Sequence, residues 1–238
     1  MKYSAGWFLA CALAVLGVAG SGCTMLSDSQ NQQGVRMYEQ AYYQGALERF
    51  QQAIQTDPSN PDAYYNLART NHQLGKLHSQ PGNMQQAESY YHQCLDHNPE
   101  HQDCYRALAV LLVEQGRSAD AFKLVENWTA RNPGSAAPRI ELARLFEESG
   151  NRDQAKTQLI EAVAIDPANS TALAALGKLR EESGETAQAV ANYQRSLASN
   201  PSQPALAARV AALTTPAAPV YTPPGGTRVV TAPAAPPR

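Results

Sequence analysis

Apolar and small residues recur along the middle of this chain with a period of 34 residues. Laying Ser170–Gln203 over the preceding Ala136–Asn169 aligns Leu176 with Leu142, Gly184 with Gly150, Ala189 with Ala155 and Pro201 with Pro167. An Asp-Pro or Asn-Pro pair closes each unit, at Pro58, Pro99, Pro133, Pro167 and Pro201, spaced by 34 residues except for one interval of 41. Each unit holds two amphipathic stretches of about 12 to 14 residues, helices that are marginal alone and must stack to be stable. Ala46, Ala87, Ala121, Ala155 and Ala189 supply small residues where paired helices approach closely. Gly75, Gly116, Gly150 and Gly184 are expected to end the first helix of their units by accepting positive φ. Each Pro stops the second helix, because it disfavours helical backbone in the residue before it. The pattern therefore predicts five helical hairpins, at 27–60, 61–101, 102–135, 136–169 and 170–203. The extra residues of the second unit fall in Lys76–Asn83 and are expected to lengthen the turn inside that hairpin.

This arrangement resembles the tetratricopeptide repeat, whose pattern is W-x2-L-G-x2-Y, then A-x3-F, then Pro. The fifth unit supplies Leu173, Leu176-Gly177, Ala189, Tyr193 and Pro201 at those places. Other units fill other subsets, with Tyr64 and Leu67, Tyr105 and Leu108, and Leu142 and Phe146. The first has Gly34, Ala46, Phe50, Ala53 and Pro58 but places Gln30 and Gln33 where apolar residues belong, as suits a terminal repeat with one face lacking a neighbour. The resemblance implies an all-α fold, a right-handed superhelical solenoid of about five helix pairs with a concave inner face. Residues 204–213 read as a capping helix with Pro204 in its first turn. From Thr214 to Arg238 the composition shifts to Pro, Ala, Thr and Gly without apolar periodicity, which predicts a disordered tail that spans up to about 80 Å when extended.

Met1–Gly22 carries Lys2 and an apolar run from Trp7 to Ala19, too short to span a bilayer, and reads as a signal peptide. Gly20-Ser21-Gly22-Cys23 resembles the bacterial lipoprotein processing site, in which cleavage leaves a lipid-bearing Cys, here Cys23, with 23–26 as a short spacer. Gly20 stands where that site usually has Leu, and ordinary cleavage after Ala19-Gly20-Ser21 obeys the same small-x-small rule. The lipoprotein reading places the protein in the bacterial cell envelope, anchored to a membrane. Thr24, rather than Asp, after Cys23 favours the outer membrane.

Composition narrows the function. A net charge of -2 and a pI near 6.2 give no global basic field, so nucleic acid is not the expected partner. The chain has no Gly-rich phosphate loop, no nucleophile elbow and no H-E-x-x-H, so an enzyme is not expected. All five histidines, His72, His78, His92, His97 and His101, gather in the second unit with Cys94, and Cys104 lies just beyond. Cys94, His97, His101 and Cys104 are ligand types that suit zinc, yet Cys94 occupies a small buried helix position and most of the histidines fall at exposed ones, so no metal is expected. Cys94 and Cys104 stand five residues either side of Pro99, which lets them face each other across a helix pair and form a disulfide in an oxidising compartment.

In the tetratricopeptide family the first helix of each repeat lines the concave face. Carried onto this chain, those positions hold Tyr65, Arg69 and His72, then Arg106, Val110 and Val113, then Ile140, Arg144 and Glu147, then Ala174, Lys178 and Glu181. Arg69, Arg106, Arg144 and Lys178 form a basic ladder, which implies a protein partner offering an acidic internal segment, with Tyr65 at one end. The competing view is of solvated charges offset by nearby glutamates. Reversing Arg106 and Arg144 is accordingly expected to weaken partner capture with little change in stability. The resulting expectation is a membrane-tethered scaffold in envelope or pilus assembly. Its rivals are a soluble periplasmic adaptor working through the Pro-rich tail and a metal- or redox-responsive module centred on the second unit.

Overall fold

The computed structural model describes residues 24–215, and they are all helix and connecting turn. Helix α1 covers 24–39, and α2 (Tyr43–Thr56), α3 (Pro61–His78), α4 (Pro81–His97), α5 (Gln102–Glu114) and α6 (Ser118–Arg131) follow. Then come α7 (Ala136–Glu148), α8 (Arg152–Ile165), α9 (Ser170–Glu182), α10 (Thr186–Ser199) and α11 (Pro204–Thr214). Odd- and even-numbered helices alternate as the two arms of successive hairpins, and each helix from α2 onward packs on the next. The signal-peptide segment, Cys23 and the tail from 216 onward lie outside the described residues. Among the described residues no helix is long and apolar enough to cross a membrane.

The small residues do what close approach requires. Ala46, Ala87, Ala121, Ala155 and Ala189 are all fully buried between the arms of their hairpins. Seven residues further on, Ala53, Cys94, Trp128, Ala162 and Ser196 are buried too. Successive first arms also touch, α3 on α5, α5 on α7 and α7 on α9. That contact brings the first arms together along one side of the stack, which makes theirs the inner face of a helical solenoid.

The turns explain why the hairpins are regular. At the end of α5, Gly116 takes φ +75°, its N–H donates to Val113 O at 2.9 Å, and the Arg117 N–H donates to Leu112 O at 2.8 Å. These two bonds satisfy carbonyls that the helix end leaves open. Gly150 and Gly184 repeat the motif at α7 and α9. Asn60, Asn151 and Asn169 cap α3, α8 and α9 through their side chains, each accepting a backbone N–H of the first turn. In the first hairpin, α1 docks through polar contacts: buried Ser27 donates to Ala53 O at 2.9 Å, and Thr56 donates to Gln30 at 2.8 Å.

The second hairpin departs from expectation. Gly75 ends no helix, and the inserted residues form no long loop. Lys76, Leu77 and His78 continue α3 to 18 residues, and Ser79 takes the left-handed position at φ 51° before Pro81 starts the 17-residue α4. The physical reason is that no breaker interrupts the sequence until Pro81, while Pro is well suited to a helix's first turn. Gly75 instead serves a close approach, since a Cβ there would meet the Met84 side chain of α4 at 3.0 Å. The insertion thus makes the second hairpin about one helical turn taller.

Candidate functional site in the concave groove

The inner face is built from the exposed side of α3, α5, α7 and α9. Tyr65 is half-buried there, its ring 5.0 Å from His101 and 6.2 Å from Tyr91. Arg69 lies one turn on, its guanidinium 4.1 Å above the Tyr38 ring of α1. Among the described residues no carboxylate lies within ion-pair distance of Arg69.

The other rungs of the basic ladder are occupied. Arg106 Nε donates to Glu141 Oε1 at 2.6 Å, and Arg144 Nε donates to Glu141 Oε2 at 2.9 Å. The Glu141 side chain is only 4% exposed. A second carboxylate, Glu148, takes the other end of Arg144, while Lys178 pairs with Glu147. At the two ends, Glu114 accepts His72 and Lys76, each at 2.7 Å, and Arg209 of α11 pairs with Glu181. Burial pushes the Glu114 pKa up, but the hydrogen bonds from Lys76 and His72 outweigh it and hold the carboxyl below its usual range. Ion pairs thus join each first arm from α3 onward to the next, and α9 to α11. Arg106 and Arg144 hold a buried carboxylate, so reversing them would destabilise the fold, contrary to the sequence expectation.

Two concavities flank Arg106. One, of about 280 Å³, is lined by Tyr65, Arg69, His72, Tyr91, Asp103 and Arg106. The other, of about 410 Å³, is lined on the far side by Trp128, Ser135, Ile140, Glu141 and Asp166. Each has a buried polar atom without a hydrogen-bond partner, Tyr91 Oη in the first and Trp128 Nε1 in the second. Burial pushes the Tyr91 pKa well up, so its hydroxyl keeps its proton.

Beneath the first concavity lies the cysteine and histidine cluster. Cys94 and Cys104 are both free and fully buried. They occupy the facing positions at which the first and fourth hairpins bring Ala53 to Ala63 and Ala162 to Ala172. Cys104 Sγ donates to Tyr91 O at 3.2 Å and lies within hydrogen-bonding reach of the Cys94 thiol, a proximity that draws the Cys94 pKa down and pushes that of Cys104 up. In the neutral ring His101 Nδ1 accepts the Cys104 N–H at 3.2 Å, capping α5, and in either protonation state Nε2 donates to Asp62 at 3.1 Å. The Asp62 hydrogen bond holds the His101 pKa above its ordinary value, and His101 lowers that of Asp62. His97 is exposed and stacks on Tyr64 at 5.1 Å. Among the described residues no group of three or more His, Cys, Asp or Glu is arranged to hold a metal ion.

All five sequence-named groove residues, Tyr65, Arg69, Arg106, Arg144 and Lys178, lie on the first arms, and the structure brings the first three together around one pocket. Sequence reasoning missed Glu141, Tyr38 and Tyr91. Tyr91 occupies the aromatic slot of the second arm, shared with Phe50 and Tyr193, which ordinarily signals core alone. The signal available was its hydroxyl, a polar atom in an apolar slot.

Family models described as TPR repeat and tetratricopeptide repeat match residues 36–75, 80–131 together with 112–179, and 172–205. No curated protein sequence matches the chain. Among solved structures, a thermophilic TPR protein of Thermus thermophilus is 25% identical over 79% of this chain and 98% of its own, with a TM-score of 0.57. The pilF protein of Pseudomonas aeruginosa is similar in fold, at 17% identity over 81% of this chain and 86% of its own, with a TM-score of 0.55. Hairpin geometry, glycine turns and matches along most of the described residues agree: this chain belongs to the tetratricopeptide-repeat family.

Proposed function

We propose that the protein is a membrane-tethered interaction scaffold of the bacterial envelope that holds an internal segment of a partner protein along its concave groove. The observation that carries this is the inner face itself. It presents Tyr65, Arg69, Val110 and Ile140 at a continuous row of first-arm positions, and Arg69 has a cationic end with no carboxylate partner among the described residues. Paired charges elsewhere in the groove leave it rigid and nearly neutral, so the segment's acidic character matters mainly opposite Arg69. A single exposed charge contact of this kind is weak and salt-sensitive.

The tether rests on Cys23 at the end of the apolar leader. With α1 helical from residue 24, the spacer between a lipid on Cys23 and the solenoid is very short, which would hold the first hairpin against the membrane surface. Metabolic labelling with a fatty-acid analogue tests this: the wild type takes up label and Cys23→Ser does not. An unlabelled, freely soluble wild-type product would remove the tether from the reading. Arg69→Glu tests the groove, since it should lower partner capture in cells while leaving the melting temperature within a few degrees.

A further inference from the structure

Tyr91 and Tyr193 occupy the same slot of their hairpins, yet only one hydroxyl is satisfied. Tyr193 Oη donates to Glu181 at 2.9 Å, whereas Tyr91 Oη is buried with no partner. A buried hydroxyl without a hydrogen bond is costly, and native proteins retain few of them. Tyr91 is also fully buried as a residue and forms the floor of the 280 Å³ pocket between α3, α4 and α5. Tyr65 and His72 stand beside its ring, at centroid distances of 6.2 and 6.4 Å.

The charges around that hydroxyl are unequal. Arg106 is held by Glu141 and lies 3.8 Å from Asp103, so its charge is already compensated. His72 is bonded to Glu114. Arg69 has only the Tyr38 ring. The pocket therefore offers one uncompensated guanidinium and one uncompensated hydroxyl donor, with Val110 and Ala107 as its apolar wall. A ligand that satisfies both needs two acceptor atoms and one negative charge. A carboxylate has that form, while a phosphate dianion would carry its second charge towards Asp103.

We infer that this pocket is a carboxylate subsite of the groove, which takes one Asp or Glu side chain of the partner segment between Arg69 and the Tyr91 hydroxyl. The inference rests on the groove reading above and specifies where its acidic contact falls. The occupant is an internal side chain rather than a chain end because the inner row continues on both sides, to Asn31 and Tyr38 of α1 and to Ile140 of α7. A segment lying along that row passes over the pocket. Sequestration from bulk water strengthens the charge-assisted bonds, which are about twice as strong as neutral ones.

The test uses the full-length protein with ¹³C-labelled tyrosine rings and N-acetylglutamate amide as the probe. Titration should move the Tyr91 resonance, identified by its loss in Tyr91→Phe, and the neutral N-acetylglutamine amide should leave it in place. Arg69→Gln should weaken the glutamate probe by about tenfold at low salt. Read at the Tyr65 resonance, Tyr91→Phe should weaken it as well. Because its hydroxyl has no partner, Tyr91→Phe should melt no lower than wild type, which separates lost binding from lost folding. Equal responses to the glutamate and glutamine probes, or no response at Tyr91 up to the solubility of the probe, would overturn the subsite. If partner capture in cells still depended on Arg69 in that case, the groove reading would stand without it.

Discussion

Arg106 on α5 donates to Glu141 on α7 across 2.6 Å, and Glu141 is the most deeply buried carboxylate of the inner face. The pair joins two repeats from inside the groove, with Arg144 completing the coordination from Glu141's own helix. Breaking a buried ion pair by removing one partner costs about 3–5 kcal/mol when the remaining charge is left alone. Two arginines share this one carboxylate, so Arg106→Ala should cost less, about 1–2 kcal/mol. The double change Arg106→Glu with Arg144→Glu should cost more than about 3 kcal/mol, because it sets three carboxylates together. Chemical unfolding followed by helical circular dichroism measures the difference. A double variant as stable as wild type would mean that the pair is not formed in solution.

Ala41 carries strain that the third, fourth and fifth hairpins avoid by using glycine. It sits at φ 58°, with its N–H on Tyr38 O and the Tyr42 N–H on Met37 O, the bonds that Gly116, Gly150 and Gly184 make in later repeats. A non-glycine residue in the left-handed region costs roughly 1–2 kcal/mol. Ala41→Gly should therefore stabilise the first hairpin by about 1 kcal/mol after its extra unfolded-state entropy is subtracted. Gly150→Ala should destabilise by a similar amount, and thermal melts of the two variants should move in opposite directions.

Cys94 and Cys104 lie where two other hairpins place alanine pairs, so the fold tolerates small residues on both sides. The double variant Cys94→Ala with Cys104→Ala should melt within a few degrees of reduced wild type. After oxidation with oxidised glutathione during refolding, the wild type should melt higher than the double variant, since a bridge closing so short a loop contributes about 2–3 kcal/mol. Mass spectrometry of the unreduced chain, showing loss of two hydrogens, checks the bond directly.

The Asp62–His101 bond predicts a pH dependence with a definite sign. Asp62 is held below 3.8, so its contribution is present above that pH and is lost as the pH falls through its lowered pKa. Protonation of His101 gives up the Nδ1 cap on α5 but turns the bond to Asp62 into an ion pair, and the pair prevails: the His101 pKa is held above 6.5, so its contribution is full below 6.5 and is lost as the pH rises through its raised pKa. The stability advantage of wild type over Asp62→Asn should then be greatest between 3.8 and 6.5. Imidazole resonances should show His101 titrating above 6.5 in wild type and falling back in Asp62→Asn.

Much of this fold is legible in the chain, because the repeat is enforced by residues whose roles are local. Ala155 and Ala189 announce where helices touch, and Gly116, Gly150 and Gly184 announce where they end. Gly75 misleads because a glycine that admits a neighbouring helix looks the same in sequence as one that turns the chain. The groove is less legible. Arg106, Arg144 and Lys178 lie on first arms where the repeat pattern puts them, but their partners Glu141 and Glu147 lie on a helix side whose contacts depend on how repeats stack. Tyr91 and Tyr193 are interchangeable in pattern, and only packing decides which hydroxyl finds a partner.

The central claim is that the inner face of the solenoid holds a partner protein. A photo-crosslinking amino acid placed in living cells at Val110, on the inner row, and separately at Ile160, 45% exposed on the second arm of the fourth hairpin, tests it most directly. The account predicts one discrete protein adduct from Val110, abolished by Arg69→Glu, and none of that mass from Ile160. An adduct from Ile160 alone, or a Val110 adduct indifferent to Arg69→Glu at low salt, would contradict it.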